Sequence, residues 1–374
     1  MNLSYWEYKT WLANVDYTVV GSGIVGLNCA LALRKKHPHA KILVLEKGIL
    51  PQGASTKNAG FACYGSISEI LSDLKDHTEE EVFELVKMRW EGIGLLREML
   101  GDKALEYEQH GGHEIFAKSN TEKYERCLQK HHEVNRLLQP IFGQNAFEQQ
   151  KNSFDFGNIK DHYLVNRLEG QIDTGKMMNA LLQKAILEGI TVLNSVSLMK
   201  FEALSEGVEL QTDQFDFKTN KLFIATNGFA PLILEEDIVP ARAQVLITKP
   251  MQHLHIKGTF HMDEGFYYFR NIDNRLLLGG GRNMDLEGER TSEFGLTDKI
   301  QDKLEFLLRE VILPGKNFEI ERRWSGIMGV GSQKRPILKH LNDHVFCGIR
   351  LGGMGIAIGS FVGKSLAGLP ERQD

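Results

Sequence analysis

The chain has 374 residues, of which 25% are charged and 42% are hydrophobic, and its formal net charge is −5. This composition is typical of a folded globular protein with a sizeable core, long enough for two domains. The negative charge argues against nucleic acid or an anionic membrane surface as a partner.

Nothing in the sequence predicts a membrane segment, a secretion signal or a metal centre. No apolar run approaches the roughly 20 residues of a membrane-spanning helix, and residues 1–17 lack the basic-then-apolar order of a signal peptide. Histidines and cysteines are scattered, without the spacing of a ligand set. We therefore expect a cytoplasmic protein with reduced thiols. The thiols are those of Cys29, Cys63, Cys127 and Cys347.

The N-terminal segment has the pattern of a β-α-β unit. Residues 16–20 (DYTVV) and 41–46 (KILVLE) are short runs typical of buried strands. Between them, apolar residues recur at helical spacing over 24–33, and Pro38 predicts that the helix ends before it. The unit therefore predicts two parallel strands joined by one helix.

A glycine loop lies at the first turn of this unit. Gly21, Gly23 and Gly26 have the spacing that allows a tight turn, a close approach to a pyrophosphate and packing of helix on strand. Glu46 ends the second strand, where a carboxylate accepts hydrogen bonds from ribose hydroxyls and disfavours a 2′-phosphate. The sequence thus predicts a dinucleotide site. Its first residues are Gly21, Ser22, Gly23, Ile24, Val25, Gly26, Glu46 and Lys47.

Three further helices are predicted before residue 190. A capping box at Thr78 opens a long amphipathic helix. A second amphipathic stretch covers 120–139 and is predicted to end at Pro140. A third lies between Asp173 as N-cap and Gly189 as the residue after the helix. The apolar positions of the first two are interpreted as core-facing.

The C-terminal half changes to alternating, aromatic-rich runs. Their pattern predicts an antiparallel sheet with one face toward a cavity, interrupted by a helix over 297–313. The runs are 241–248, 265–270, 274–281 and 318–324. The last segment, 344–369, has the order strand, glycine-rich loop, helix.

The block LPQGASTKNAGFACYGS (50–66) carries a family resemblance. After a β-α-β unit, the pattern GAS-x-x-N-A-G resembles the FAD-binding start of the D-amino-acid oxidase family, which includes glycine, sarcosine and γ-glutamylputrescine oxidases. Small residues here allow an extended chain to lie along a flat ring. The resemblance places these residues against the flavin: Gly53, Ala54, Ser55, Asn58, Ala59, Gly60 and Phe61.

The resemblance extends over most of the chain and is loose in 70–165. GITVLNSVSL and FIATNGFAP are similar to nucleotide-contacting segments of the family, and RRWSGIMG resembles its γ-glutamylputrescine oxidase branch. RLGGMG matches the loop at the flavin's pyrimidine edge, where free amides and a helix dipole would stabilise the reduced, anionic flavin. The residues implied are Val196, Ala225, Thr226, Gly228, Gly326, Gly352, Gly353, Met354, Gly355 and Ile356.

Departures from the family pattern limit what the resemblance says about substrate. WSGIMGVGSQ lacks the cysteine that tethers flavin in sarcosine oxidases, so FAD is expected to be non-covalent. Met328 stands where glycine oxidase has a carboxylate-binding arginine, and the oxygen-activating lysine is missing. An anionic substrate group is then left to another arginine. The candidates for the catalytic region are Tyr267 or Tyr268, only one of which can face a cavity, Met328, and Arg270, Arg282 or Arg350.

The fold class implied is α/β: a discontinuous Rossmann-like FAD-binding domain plus an α+β substrate domain with a mixed, largely antiparallel sheet. The expected FAD-binding segments are 14–75, 165–235 and 325–374, and the expected substrate segments are 76–164 and 236–324.

The activity implied is oxidation of a C–N bond of a small amine or amino acid. Hydride passes to flavin N5, water hydrolyses the imine, and O2 or an electron carrier reoxidises the flavin. Three alternatives stay open: a 2-hydroxy-acid dehydrogenase, a flavoprotein that binds a partner or modifies RNA, and a nicotinamide dehydrogenase. The sequence does not indicate an oligomeric state.

Overall fold

The computed structural model describes residues 3–371. In chain order the strands are β1 Val15–Val20, β2 Ile42–Glu46, β3 Phe61–Ala62, β4 Gly112–Glu114, β5 Phe147–Lys151, β6 His162–Asn166, β7 Gly170–Gln171, β8 Thr191–Asn194, β9 Leu198–Ala203, β10 Val208–Thr212, β11 Asp216–Ile224, β12 Val239–Thr248, β13 Thr259–Met262, β14 Tyr267–Ile272, β15 Arg275–Gly280, β16 Ile320–Val330, β17 Ile337–His340 and β18 Val345–Ile349. The α-helices are α1 Tyr5–Glu7, α2 Ile24–Lys36, α3 Ile67–Asp76, α4 Glu79–Leu100, α5 Asp102–Leu105, α6 Thr121–Phe142, α7 Thr174–Leu187, α8 Asp298–Leu307 and α9 Gly355–Leu366.

The first sheet carries the predicted β-α-β unit. Its parallel strands lie in the order β8-β2-β1-β11-β18, with β17 antiparallel at one edge and the β9–β10 hairpin attached to β11. β1 and β2 are parallel neighbours joined by α2, as expected for a right-handed crossover. The strands come from widely separated parts of the chain.

The second sheet has the order β16-β12-β15-β14-β13-β4-β6-β5 and is antiparallel except where β4 pairs with β13. The predicted fold class, a Rossmann-like unit beside a mixed, largely antiparallel sheet, is thereby confirmed. The domain boundaries stay a prediction. The predicted limits 164/165 and 324/325 fall inside β6 and β16, both strands of this second sheet.

Helix limits follow the capping signals in two of the three predicted cases. The Thr78 capping box opens α4, and Asp173 caps α7, which Gly189 follows with a φ of +73°. The prediction that Pro140 ends α6 is wrong: the helix continues to Phe142 and stops at Gly143, which is left-handed. Proline removes one amide donor, but Phe142, two residues later, is buried and packs on Trp90 of α4, which holds the last turn of α6 in place.

α9 lies at the centre of the helical layer, in contact with α2 and α4. Glycines permit this approach. A Cβ added at Gly92 of α4 would lie 2.0 Å from the carbonyl oxygen of Ala357, and one added at Gly363 would lie 2.5 Å from that of Val25. Among residues 3–371, every helix is too short or too polar to cross a lipid bilayer.

A pair of alanine substitutions on α4 tests this packing. We expect G92A to destabilise the protein by about 1–3 kcal/mol, because the new methyl group meets backbone that cannot move away. G94A, two residues away at an exposed site with no atom within 4 Å of the added Cβ, should stabilise it by about 0.5–1 kcal/mol. Urea unfolding midpoints of the flavin-loaded variants measure both; equal midpoints for G92A and wild type would contradict the close approach.

Candidate active site

A cavity of about 890 Å³ lies between the two sheets. Its lining begins at the carboxyl ends of the parallel strands, with Val20, Leu45 and Ala225, and continues onto the second sheet at Val245 and Tyr268. The carboxyl edge of a parallel sheet is where ligands of such folds bind. The cavity therefore connects the predicted nucleotide loop with the aromatic strands.

The glycine loop closes one end of this cavity. Gly21 has a φ of +103°, and a Cβ there would lie 2.9 Å from the carbonyl oxygen of Ala225. A Cβ at Gly26 would lie 1.8 Å from the carbonyl oxygen of Gly21. Gly26 does not line the cavity. Because it has no side chain, α2 can begin directly after the turn. The N-terminal end of α2 thus opens on the cavity through Gly23 and Ile24, as anion binding requires.

Glu46 fixes the shape of the loop. Its Oε2 accepts hydrogen bonds from the amide and hydroxyl of Ser22, at 3.1 and 2.8 Å, and its Oε1 accepts from the amides of Gly48 and Gln52. The carboxylate is 5% exposed and lines the cavity. Ser22 is fully buried and does not line it, so Ser22 serves the loop through Glu46.

The segment 53–61 folds back onto the glycine loop. Ser55 Oγ accepts a hydrogen bond from the amide of Ile24 at 3.0 Å, and Asn58 Oδ1 accepts from the amide of Gly60 at 2.8 Å. Trp324 on β16 donates its indole N–H to the carbonyl of Lys57. The segment is therefore held between both sheets, and small residues keep its cavity side open.

Most predicted cofactor residues line this one cavity. They are Gly21, Gly23, Ile24, Val25, Glu46, Lys47, Gly53, Ala54, Ser55, Asn58, Ala59, Gly60, Phe61, Val196, Ala225, Thr226, Gly228, Gly326, Gly352, Gly353, Met354, Gly355 and Ile356.

The C-terminal glycine loop forms the far wall. Leu351 donates its amide to Asn227 Oδ1 at 3.1 Å, which ties the loop to the end of the first sheet. Gly352 has a φ of +58°, and α9 begins at Gly355 with its N-terminus toward the cavity. Free amides and the helix dipole there favour negative charge.

Of the predicted catalytic candidates, Tyr268, Arg282 and Met328 line the cavity. The Tyr268 ring packs edge-on against Phe61 with centroids 5.8 Å apart, and burial raises the pKa of its phenol to about 12, so the hydroxyl keeps its proton. Arg282 lies over the Phe266 ring at 5.8 Å. Burial lowers the pKa of its guanidinium. Within residues 3–371 this guanidinium group forms no salt bridge and no hydrogen bond.

Tyr267, Arg270 and Arg350 do not line the cavity. Tyr267 alternates with Tyr268 and is buried in the apolar core of the second sheet. Arg270 donates to the carbonyl of Ile172 at 2.8 Å, and Arg350 binds Asp237 at 2.5 Å. Both guanidinium groups are occupied by protein acceptors, which leaves Arg282 facing the cavity.

The cavity also contains polar residues that the sequence analysis did not single out. Cys63, Glu69, His261 and Glu264 all line it. They come from two segments that are distant in the sequence, residues 63–69 and 261–264, and only His261, between Phe260 and Met262 in β13, gave a local signal. Residues 3–371 bring together no His, Cys, Asp and Glu group placed to hold a metal ion.

Known proteins resemble the chain over nearly its full length. A probable oxidoreductase, OrdL, from Haemophilus influenzae is 20% identical over 96% of this chain and 83% of its own. Glycine oxidase from Geobacillus kaustophilus superposes with a TM-score of 0.79, at 16% identity over 96% of this chain and 95% of its own. L-proline dehydrogenase from P. horikoshii superposes with a TM-score of 0.75, at 17% identity over 95% of this chain and 92% of its own.

These solved structures establish the likeness in fold. The family model of FAD dependent oxidoreductases, abbreviated DAO, matches residues 16–369. Because that match covers the glycine loop, both sheets and α9, the chain belongs to the DAO family of FAD dependent oxidoreductases.

Proposed function

We propose that the protein oxidises the C–N bond of a small amine that carries a carboxylate, such as an amino acid, with non-covalent FAD and with O2 or an electron carrier as final acceptor. The single observation that carries the substrate class is Arg282. Its guanidinium lines the cavity, has no hydrogen-bond or salt-bridge partner among the described residues, and lies over the Phe266 ring.

The cavity fits FAD by its own geometry. A side chain at Gly21 or Gly26 would fill the turn at the start of α2, which is the cradle that a pyrophosphate requires. Glu46 at the end of β2, Val196, Gly353 and Met354 all line the cavity. In our proposal Glu46 and Val196 hold the ribose and the adenine, and Gly353 and Met354 face the pyrimidine edge. When bound, FAD supplies the hydride acceptor for the substrate α-carbon.

The protein's part is to orient the substrate. Arg282 binds the carboxylate through paired N–H donors, which fixes the α-carbon relative to the cavity wall. Tyr268 keeps its proton and presents a hydroxyl donor. The relatives glycine oxidase and L-proline dehydrogenase are named for amino acids, which supports this substrate class.

Cysteine placement supports the non-covalent mode. Cys29, Cys127 and Cys347 do not line the cavity, and Cys347 is fully buried within β18. Cys63 does line it, with its thiol 3.6 Å from the sulfur of Met354. All four thiols are free and buried, which supports our placement of the protein in the reducing cytoplasm.

An anaerobic substrate screen tests the proposal. The purified yellow protein is mixed with amines, amino acids and 2-hydroxy acids, loss of flavin absorbance is recorded, and air is then admitted. We expect bleaching by amino acids and weaker or no bleaching by the corresponding decarboxylated amines. Acid precipitation should release the flavin into the supernatant. Bleaching by 2-hydroxy acids and never by amino acids would replace the proposal with a hydroxy-acid dehydrogenase, since Arg282 suits either carboxylate.

A further inference from the structure

An amine substrate that binds as an ammonium ion has no lone pair and must lose a proton before its C–N bond is oxidised. The groups already described do not accept it. Tyr268 is a protonated phenol, and Arg282 is a cation. Glu69 accepts a hydrogen bond from the amide of Ser66, and Glu264 is paired with Lys123 at 2.9 Å.

A cluster of three polar residues, Cys63–His261–Glu169, lies at the cavity wall. Cys63 and His261 both line the cavity and lie close enough for their charges to interact, and the Cys63 thiol is placed to donate to Met354 Sδ at 3.6 Å. Behind them, Glu169 Oε2 lies 3.7 Å from His261 Nε2, a nitrogen with no hydrogen-bond partner in the described chain. All three side chains are at least 95% buried.

The cluster is built into the fold. Glu169 Oε1 accepts a hydrogen bond from the amide of Tyr64 at 2.8 Å. A Cβ at Gly112 would lie 1.7 Å from Glu169 Oε2, so the glycine on β4 leaves the space that this carboxylate occupies. The His261 ring is held by an edge-on contact with Phe61, with centroids 5.2 Å apart.

We propose that Cys63 and His261 accept the proton of the substrate's ammonium group, with Glu169 as the positioning residue that balances the resulting charge. This rests on the proposed function. The N–H bond breaks, and its electron pair stays on the substrate nitrogen. The proton bonds to an imidazole nitrogen, either directly or through the thiol, which passes its own proton to His261. Nothing is oxidised in this step, and a neutral amine faces the cavity.

A buried histidine on the neighbouring strand shows why Glu169 matters. Burial lowers the pKa of His113 to about 4, and its ring stacks on Phe260. Burial also pushes the pKa of His261 down, but the negative charge on Glu169 and the polar contacts with Cys63 and Glu169 outweigh burial and raise it above the usual value. Burial raises the pKa of the Cys63 thiol.

Other charges facing the cluster provide controls. Glu114 pairs with His261 in the β4–β13 register and is hydrogen-bonded to Ser68; burial raises the pKa of Glu114 to about 7. Glu69 faces both Cys63 and Glu114. Glu114 does not line the cavity, but its raised pKa makes it the alternative proton acceptor that the control variants must exclude.

The test measures anaerobic flavin reduction against pH in the holoenzyme, at a saturating concentration of the best amine from the screen. In the wild type, the rate should rise with pH through one inflection above the usual histidine range, because neutral imidazole is the accepting form. E169Q, which keeps the Tyr64 hydrogen bond, should move that inflection to lower pH. H261Q should abolish it and lower the rate about a hundredfold.

The control variants H113Q and E114Q should retain the wild-type inflection, and flavin absorbance checks folding and loading in every variant. Persistence of the inflection in H261Q, or its loss in E114Q, would overturn the proposal. NMR of the 15N-histidine-labelled holoprotein adds a readout that needs no substrate: the resonance missing in H261Q should titrate at the pH of the inflection. If no amine bleaches the flavin, the proposed function fails. If amines bleach the flavin but His261 does not titrate, only the assignment of the proton acceptor fails.

Discussion

Replacing Arg282 with methionine is expected to lower kcat/KM for amino-acid substrates roughly a hundredfold. The loss corresponds to about 3 kcal/mol, the usual magnitude when one partner of a partly buried, charge-assisted pair is removed. Most of it should appear in KM, because the carboxylate contact is present before and during the reaction. Turnover of the decarboxylated amine should hardly change, so the variant's preference between the two substrates should collapse. Steady-state kinetics with both substrates measure this.

The same hairpin provides a matched control. Arg275, at the other end of β15, pairs with Glu321 at the surface, so R275M should leave kcat/KM unchanged. R282K keeps the charge without the paired donors and should fall between R282M and wild type. Equal losses for the amino acid and its decarboxylated amine in R282M would mean that Arg282 maintains the cavity and does not bind a carboxylate.

The nucleotide end of the site was predictable because its determinants are local. Gly21, Gly23 and Gly26 sit on a turn whose geometry follows from six consecutive residues, and Glu46 follows from the length of one helix and one strand. The segment around Asn58 was recognised through family resemblance. Its hydrogen bond to Gly60 is equally local.

The substrate end of the site was less predictable, because it depends on which distant groups each side chain contacts in the folded protein. Arg270 and Tyr268 share one face of β14, yet Arg270 is covered by the carbonyls of Gly60 and Ile172 from distant segments. Arg350 is taken by Asp237, 113 residues away. The alternation of side chains along a strand predicts that one of the two tyrosines faces a cavity, but it does not identify which one.

Long-range assembly also explains why the cluster of Cys63, His261 and Glu169 escaped the sequence analysis. Glu169 follows a turn after β6 and reads as a surface residue, whereas the structure leaves it 1% exposed. Only the pairing of β13 with β4 brings His261 beside it, in a space that Gly112 keeps open. Neither contact has a signature in residue spacing.

The largest effect on the cofactor should come from Gly26→Val, which we expect to yield protein without flavin. The added Cβ would lie 1.8 Å from the carbonyl oxygen of Gly21. Gly21 cannot retreat, because it already approaches the Ala225 carbonyl so closely that a Cβ there would lie at 2.9 Å. Either α2 must move off β1 or the turn must open, and both remove the amides that a pyrophosphate needs.

The molar ratio of flavin to protein, measured from the visible absorbance of the flavin, tests this prediction. Far-ultraviolet circular dichroism shows whether the secondary structure is retained. G94V is the matched control, because it places the same side chain on an exposed helical glycine with no atom within 4 Å of the added Cβ. G26A should already lose flavin, since the clash is made by the Cβ itself. If the G26V protein binds one FAD per chain, the turn at Gly21 does not hold the pyrophosphate of the cofactor. The assignment of this end of the cavity to the nucleotide would then be wrong.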